Sequence, residues 1–157
     1  MKTIFWSESE DLLPVKKIHS DAGWDLKAAE DTVIPAGSSA LVSTKTYAEI
    51  PEGYVGLIQS RSGLALKNSI AKNAGVIDSE YRGEIKVLLH NLSEPEYEIC
   101  GNDVVRKKVQ KNDFYIKKGD RIAQILIIPV ALECDLKVGI PEKSTERGSK
   151  GFGSSGK

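Results

Sequence analysis

Asp78 ends the apolar run Ala74-Gly75-Val76-Ile77 and is followed three residues later by the aromatic ring of Tyr81, then by Arg82-Gly83. A carboxylate placed in that way can take a proton from water. Two other stretches carry groups that could work beside it. Asp21-Ala22-Gly23-Trp24-Asp25-Leu26 sets two carboxylates around a glycine, a pattern that alone also describes a solvated turn. Arg61-Ser62-Gly63 offers a guanidinium, a hydroxyl and free backbone N–H groups at the expected start of a short helix. Those parts gather around a phosphate at a helix N-terminus, although the same three residues in isolation are equally a capping motif.

The elements that must position these residues are short. Turn signals at Pro35-Ala36-Gly37, Pro51-Glu52-Gly53, Arg82-Gly83, Gly101-Asn102-Asp103 and Gly119-Asp120 cut the chain into pieces too brief for long helices. Between them, residues 39–47 and 54–60 are rich in β-branched and small residues. Residues 84–91 alternate, with Ile85, Val87 and Leu89 on one face against Glu84, Lys86 and His90 on the other, which predicts a half-buried strand. Residues 121–130 hold Ile122, Ile125, Leu126, Ile127 and Ile128 almost without interruption, as in a strand covered on both faces. Only residues 62–69 look helical, with Ser62 as a possible N-cap before Leu64, Ala65 and Leu66. An all-β sandwich or barrel accounts for this pattern. At 157 residues the chain has the size of one domain, expected over residues 1–143. Residues 144–157 contain four Gly and four Ser and no strand pattern, so they are expected to form a flexible C-terminal arm.

Taken in order, these pieces resemble the five motifs of the trimeric dUTPase family. Residues 21–29 are similar to its first motif, 51–65 to its second, 74–85 to its third, 119–125 to its fourth and 147–156 to its fifth. The resemblance implies a single-domain, jelly-roll-like β fold with one short helix, and hydrolysis of dUTP to dUMP and pyrophosphate. It implies that Asp78 is the general base for water attacking the α-phosphorus, with Mg²⁺ chelated by the triphosphate and Asp25 near the metal through its water shell. Ser62, Gly63 and Gln124 would bind the phosphate chain with support from Arg61. Gly75, Val76, Ile77 and Asp78 would form a hairpin that reads uracil through its main chain, and Tyr81 would pack on the deoxyribose and exclude a 2′-hydroxyl. Arg147 would grip the γ-phosphate, Phe152 would stack on uracil, and Gly153 and Ser154 would close over the substrate. Lys86 is a further contact position. The family precedent is a homotrimer whose subunits share each active site.

The chain departs from the family pattern in three places. Many members carry an asparagine six residues before the catalytic aspartate to help read uracil; here Lys72 stands there and Asn73 follows, leaving Asn73 as the candidate contact. Trp24 replaces the usual Tyr or Phe, a change that packing can tolerate. Residues 100–112 read as an insertion, either a short strand pair or a surface excursion. With Arg106, Lys107, Lys108 and Lys111 around Val104, Val105 and Val109, it could meet an acidic partner or a neighbouring subunit, or simply be a solvated loop.

Composition excludes several other classes. Lys plus Arg and Asp plus Glu balance at 22 each, which argues against a protein that coats nucleic acid. No apolar run reaches the roughly 18 residues of a membrane span, and acidic residues directly follow the first six, so an intracellular, cytoplasmic address is expected. Cys100 and Cys134 are too few and too far apart for a disulfide framework or thiolate metal site, and His19 and His90 fit no metal-ligand spacing. Residues 151–157 have the spacing of a Walker A loop, but no parallel strand precedes them. Two other functions fit parts of the pattern: a dCTP deaminase, which shares the fold and should lack the Gly-rich arm, and a regulatory binding protein built on a dUTPase body.

Overall fold

The structure is a computed structural model that describes residues 2–101, 103–106 and 111–140. In chain order the described strands are β1 (Ile4–Ser7), β2 (Trp24–Lys27), β3 (Thr32–Ile34), β4 (Ser39–Val42), β5 (Thr46–Glu49), β6 (Tyr54–Ser60), β7 (Ile70–Lys72), β8 (Val76–Ile77), β9 (Val87–Asn91), β10 (Tyr97–Cys100), β11 (Asp103–Arg106), β12 (Phe114–Ile116) and β13 (Arg121–Pro129). The one α-helix among them is α1 (Ser62–Asn68). A three-residue 3₁₀ turn at Glu10–Leu12 adds helical backbone that the reading of 62–69 as the only helical stretch overlooked. It is too short to carry a periodic pattern.

Two sheets form the body. One has the order β2-β13-β6-β8 and the other β4-β9-β7, and β1-β5 and β3-β12 form separate two-stranded pairs. Leu26, Ile58, Ile122 and Ile125 from the first sheet and Val42, Ile70, Val87 and Leu89 from the second are all buried in a single core. This is an all-β sandwich, in which each buried Ile or Leu contributes about 1.5–3 kcal/mol. The buried Asn91 is fully engaged: its Nδ2 donates to Ile34 O at 3.0 Å and Asn112 O at 2.8 Å, and its Oδ1 accepts from Ser93 N at 3.1 Å. No described buried side-chain polar atom lacks a partner.

Several boundaries move. The strand expected over 84–91 begins only at Val87, although Ile85, Val87 and Leu89 are buried as the alternation predicts. The stretch 39–47 is two strands separated by a corner at residues 43–45. β13 is covered on both faces only at Ile122, Ala123 and Ile125, and Leu126, Ile127 and Ile128 stay partly open. The helix ends at Asn68, with Ser69 in a left-handed C-cap conformation. The turns at Pro35, Pro51 and Gly119-Asp120 close as expected, through Ser38 N to Pro35 O at 3.0 Å, Tyr54 N to Pro51 O at 3.1 Å and Asp120 N to Lys117 O at 3.0 Å.

The stretch expected to be inserted resolves into part of a hairpin. β10 pairs with β11 from Tyr97↔Arg106 to Cys100↔Asp103, so the hairpin starts before residue 100 and Gly101 lies at its tip. The excursion therefore includes 97–99, because a strand pair needs both arms. The boundary between body and arm at 143/144 lies outside the described residues.

Candidate active site

β7 lies in the second sheet, paired with β9, while β8 lies in the first, paired with β6 through Gly56↔Ile77 and Leu57↔Val76. Residues 73–75 thus carry the chain from one sheet to the other, and the hairpin expected at Gly75–Asp78 is instead a sheet-switching crossing. Its backbone is tight. Ala74 and Gly75 have φ of 47° and 137°, and a Cβ on Gly75 would stand 2.9 Å from Ile58 Cβ. Only glycine permits both the conformation and the approach. Asn73 N donates to Leu88 O at 2.9 Å, Ile58 N to Gly75 O at 2.8 Å, and Lys72 Nζ to Ala74 O at 3.2 Å. Lys72 therefore braces the crossing, while Asn73 is held by its main chain and is exposed.

Asp78 follows directly, exposed, and its carboxylate has no hydrogen-bond or ion-pair partner among the described residues. Its carbonyl accepts from Tyr81 N at 3.1 Å, turning the chain so that Asp78 and Tyr81 face one cavity of about 510 Å³. Leu41, Ala74, Gly75, Val76 and Ile77 form the rest of its apolar wall, and Glu84 and Lys86 its polar side. Tyr81 is fixed by its hydroxyl, which donates to Glu84 O at 2.9 Å, and by Gly83, where any Cβ would collide with the ring, 2.6 Å from Cζ. Burial pushes the Glu84 carboxyl up, but the Ser43 hydroxyl, the Lys45 N–H and the charges of Lys86 and Lys45 outweigh it and hold Glu84 below the usual carboxyl value.

The remaining candidates gather elsewhere. Asp25 on β2 pairs with Arg61 Nε at 3.0 Å and with Arg121 Nη1 at 3.1 Å, and Arg61 Nη1 donates to Arg121 O at 2.9 Å. Gln124 on β13 sits across from Asp25, and its Nε2 donates to Ser60 O at 3.4 Å. Gly23 lies close beside it: a Cβ there would fall 2.6 Å from Gln124 Oε1 and push that side chain aside. Ser62 is the first residue of α1 and not its N-cap, a position taken by Arg61 in extended conformation. Ser62 and Gly63 are exposed, and nothing stands within 4 Å of where a Gly63 Cβ would be. Open amides, a hydroxyl and two guanidiniums at one corner suit a polyanion.

Arg121 is the member of this corner that sequence reasoning missed. It stands in Gly119-Asp120-Arg121, but its pairing with Asp25 spans 96 positions and leaves no local signal. Arg147, Phe152, Gly153 and Ser154 lie outside the described residues. The cavity at Asp78 and those at Asp25, Arg61 and Gln124 share no lining residue. The candidates thus fall into two groups, one around Asp78 and one joined by the Asp25–Arg61–Arg121 contacts.

No group of three or more metal-ligating side chains exists among the described residues, and both Asp25 oxygens are engaged by arginine. That donor set does not make a carboxylate cage. It suits only a cation that arrives with its own oxygen ligands and meets Asp25 through water.

Fold and site together define a small all-β protein with an apolar cavity beside a carboxylate and a separate arginine-rich corner that suits a polyanion. The family model described as dUTPase matches residues 10–156, and the chain belongs to that family. A deoxyuridine 5′-triphosphate nucleotidohydrolase of Candida albicans is 44% identical over 92% of this chain and 81% of its own length. That of Paramecium bursaria Chlorella virus 1 is 40% identical over 91% of this chain and 89% of its own. Among solved structures, the Staphylococcus bacteriophage 80alpha dUTPase with dUPNHPP superposes with a TM-score of 0.83 at 33% identity, covering 99% of this chain and 98% of that one. A mutant dUTPase from phage phi11 of S. aureus, in which a structural Mg(II) ion is coordinated, gives 0.74 at 27% identity over 91% of this chain and 100% of its own. Family and relatives favour a nucleotidohydrolase over the deaminase and the purely regulatory readings.

Proposed function

We propose that this chain hydrolyses dUTP to dUMP and pyrophosphate, with Asp78 as general base. The observation that carries the role of Asp78 is its unpartnered carboxylate, held at the mouth of a cavity whose walls suit a base and a deoxyribose. Asp78 takes a proton from water as the water oxygen bonds to the α-phosphorus in line with the leaving group. The bridging P–O bond to the β-phosphate breaks and its electron pair leaves with pyrophosphate. Main-chain groups of Gly75, Val76 and Ile77, with Asn73 beside them, face uracil. Tyr81 packs against the sugar, and Lys86 stands at the polar side of the same cavity. Arg61, Ser62, Gly63 and Gln124 take the phosphates, with Arg121 added to the set. Mg²⁺, when bound with the triphosphate, offsets charge on the departing pyrophosphate. Asp25, already paired with two arginines, would meet it only through water.

The same reading makes the enzyme a homotrimer with shared sites. Two features support an assembly of that kind: the two groups of site residues occupy separate cavities, and the segment 131–140 after β13 forms no strand while carrying alternating apolar side chains. There Leu132, Leu136, Val138 and Ile140 alternate with Glu133, Asp135, Lys137 and Gly139, and all four apolar side chains are exposed. Arg147, Phe152, Gly153 and Ser154 would close over substrate bound on a neighbour. The exposed β10–β11 hairpin is the place for any protein partner, and an intracellular, cytoplasmic address goes with the nucleotide substrate.

Asp78→Asn keeps the side-chain shape but removes proton acceptance. Pyrophosphate release from dUTP should fall by roughly 10² to 10⁴ while dUTP still binds. Wild-type turnover in that variant would sink the assignment, and equal release from dCTP or dTTP would sink the substrate.

A further inference from the structure

We propose that Glu84 is a positioning residue for the reaction: it clamps the loop between β8 and β9 to the β4–β5 corner and thereby sets where Asp78 and Tyr81 stand. This rests on the reading of Asp78 as the base. Residues 78–86 form no strand, since β8 ends at Ile77 and β9 begins at Val87. A loop without ladder bonds needs another anchor if it is to hold a catalytic group to within a fraction of an ångström.

Glu84 supplies that anchor. Its Oε1 accepts three hydrogen bonds, from Ser43 Oγ at 2.5 Å, Thr44 N at 3.2 Å and Lys45 N at 3.0 Å, while Oε2 faces Lys86 Nζ at 3.5 Å. The side chain is only 14% exposed. Lys45 has a φ of 49°, unusual for a residue with a Cβ. A left-handed residue in such a turn directs successive N–H groups toward one point, which makes an anion-binding concavity. Here the anion is the chain's own carboxylate.

The next residue completes the joint. Ile85 N donates to Thr46 O at 2.8 Å, Ile85 O accepts from Thr44 Oγ1 at 2.5 Å, and the Ile85 side chain is fully buried. On the other side, the Glu84 carbonyl receives the Tyr81 hydroxyl. Glu84 thus holds the corner through its carboxylate and the sugar-side ring through its carbonyl. The wall at 74–77 is secured separately, by β8 pairing with β6. Loosening Glu84 should therefore misplace Asp78 and leave the main-chain groups that face the base where they are.

The test is steady-state dUTP hydrolysis by the full chain and by E84A, E84Q and S43A, with D78N in parallel and melting curves for each. E84A should lose at least about tenfold in kcat with KM changed less than about threefold, because displacement of a reacting group by an ångström costs up to about 10². E84Q keeps an acceptor at Oε1 and should stay within about threefold of wild type. S43A removes one of three donors and should lower kcat by a smaller factor, which keeps the test alive if E84A does not fold. Wild-type kcat in folded E84A, or in S43A where E84A is unfolded, overturns the clamp, as does E84Q impaired to the level of E84A. A change in KM alone overturns it too. Wild-type turnover in D78N would remove the base reading on which the clamp depends, whereas an inactive D78N beside a fully active E84A overturns the clamp alone.

Discussion

At the scale of residues, the sugar wall proposed beside Asp78 is a ring held from two sides. The Tyr81 ring is trapped between the missing Cβ of Gly83 and the hydroxyl's bond to Glu84 O, so a 2′-hydroxyl would have to displace a fixed surface. Replacing Tyr81 with Ala should raise activity on UTP relative to dUTP, and more than it raises activity on dCTP, because the sugar wall is lost while the base-facing crossing remains. Tyr81→Phe keeps the wall and should keep the discrimination. Initial rates on UTP, dCTP and dUTP measure this, and an unchanged UTP/dUTP ratio in the Ala variant would exclude a steric role. At the arginine-rich corner, the two guanidiniums on Asp25 make that carboxylate a brace for Arg61 and Arg121. Its local setting favours orienting the two arginines, proposed here to meet phosphate, over ligating a metal directly.

At the scale of elements, the β10–β11 hairpin stands apart: among the described residues it pairs with no other strand, and Tyr97, Ile99 and Val104 on it are all exposed. Deleting it should cost the fold little, since halving or doubling a loop changes closure entropy by only about 0.6 kcal/mol. The cut must spare Asn112, whose carbonyl accepts from buried Asn91 and whose Nδ2 donates to Glu94 O at 3.1 Å. Replacing residues 97–111 with a short Gly-Ser turn should leave dUTP hydrolysis within about threefold of wild type, a barrier change below about 0.7 kcal/mol. Kinetics and oligomer mass are the readouts. A loss beyond tenfold in an intact oligomer would mean that the hairpin reaches the active site, and dissociation would mean that it builds the interface.

At the scale of the molecule, two separate groups of site residues and an exposed run of alternating apolar side chains after β13 lead to the same expectation. Ending the chain after Lys143 should leave a folded oligomer with little turnover, because the proposed γ-phosphate grip of Arg147 and the lid at Phe152 are removed while the core is untouched. Mixing that truncated protein with Asp78→Asn chains pairs an intact base from one with an intact arm from the other. If subunits exchange and sites are shared, the mixture should recover part of the activity that neither protein has alone. No recovery despite exchange proven by mass would refute sharing.

The local content of the fold could be read from residues because its causes are local. Period-two alternation exposes Ile85, Val87 and Leu89 as core, Pro and Gly mark the turns, and Asp78 after an apolar run marks the candidate base. Boundaries were less legible. The strand at 84–91 lost its first turn of ladder because Glu84 and Ile85 dock on residues 43–46, a contact some 40 positions away. The expected hairpin at 75–78 became a crossing because its two flanks pair with different sheets, which periodicity cannot distinguish. Arg121 joined Asp25 because β13 pairs with β2, a partnership between strands nearly a hundred positions apart. By itself the sequence determined which residues are apolar, which can ionise and where the chain must turn. Only the tertiary structure decided which ionisable groups meet, since an ion pair or a clamp depends on distances of a few ångströms between segments that are remote along the chain.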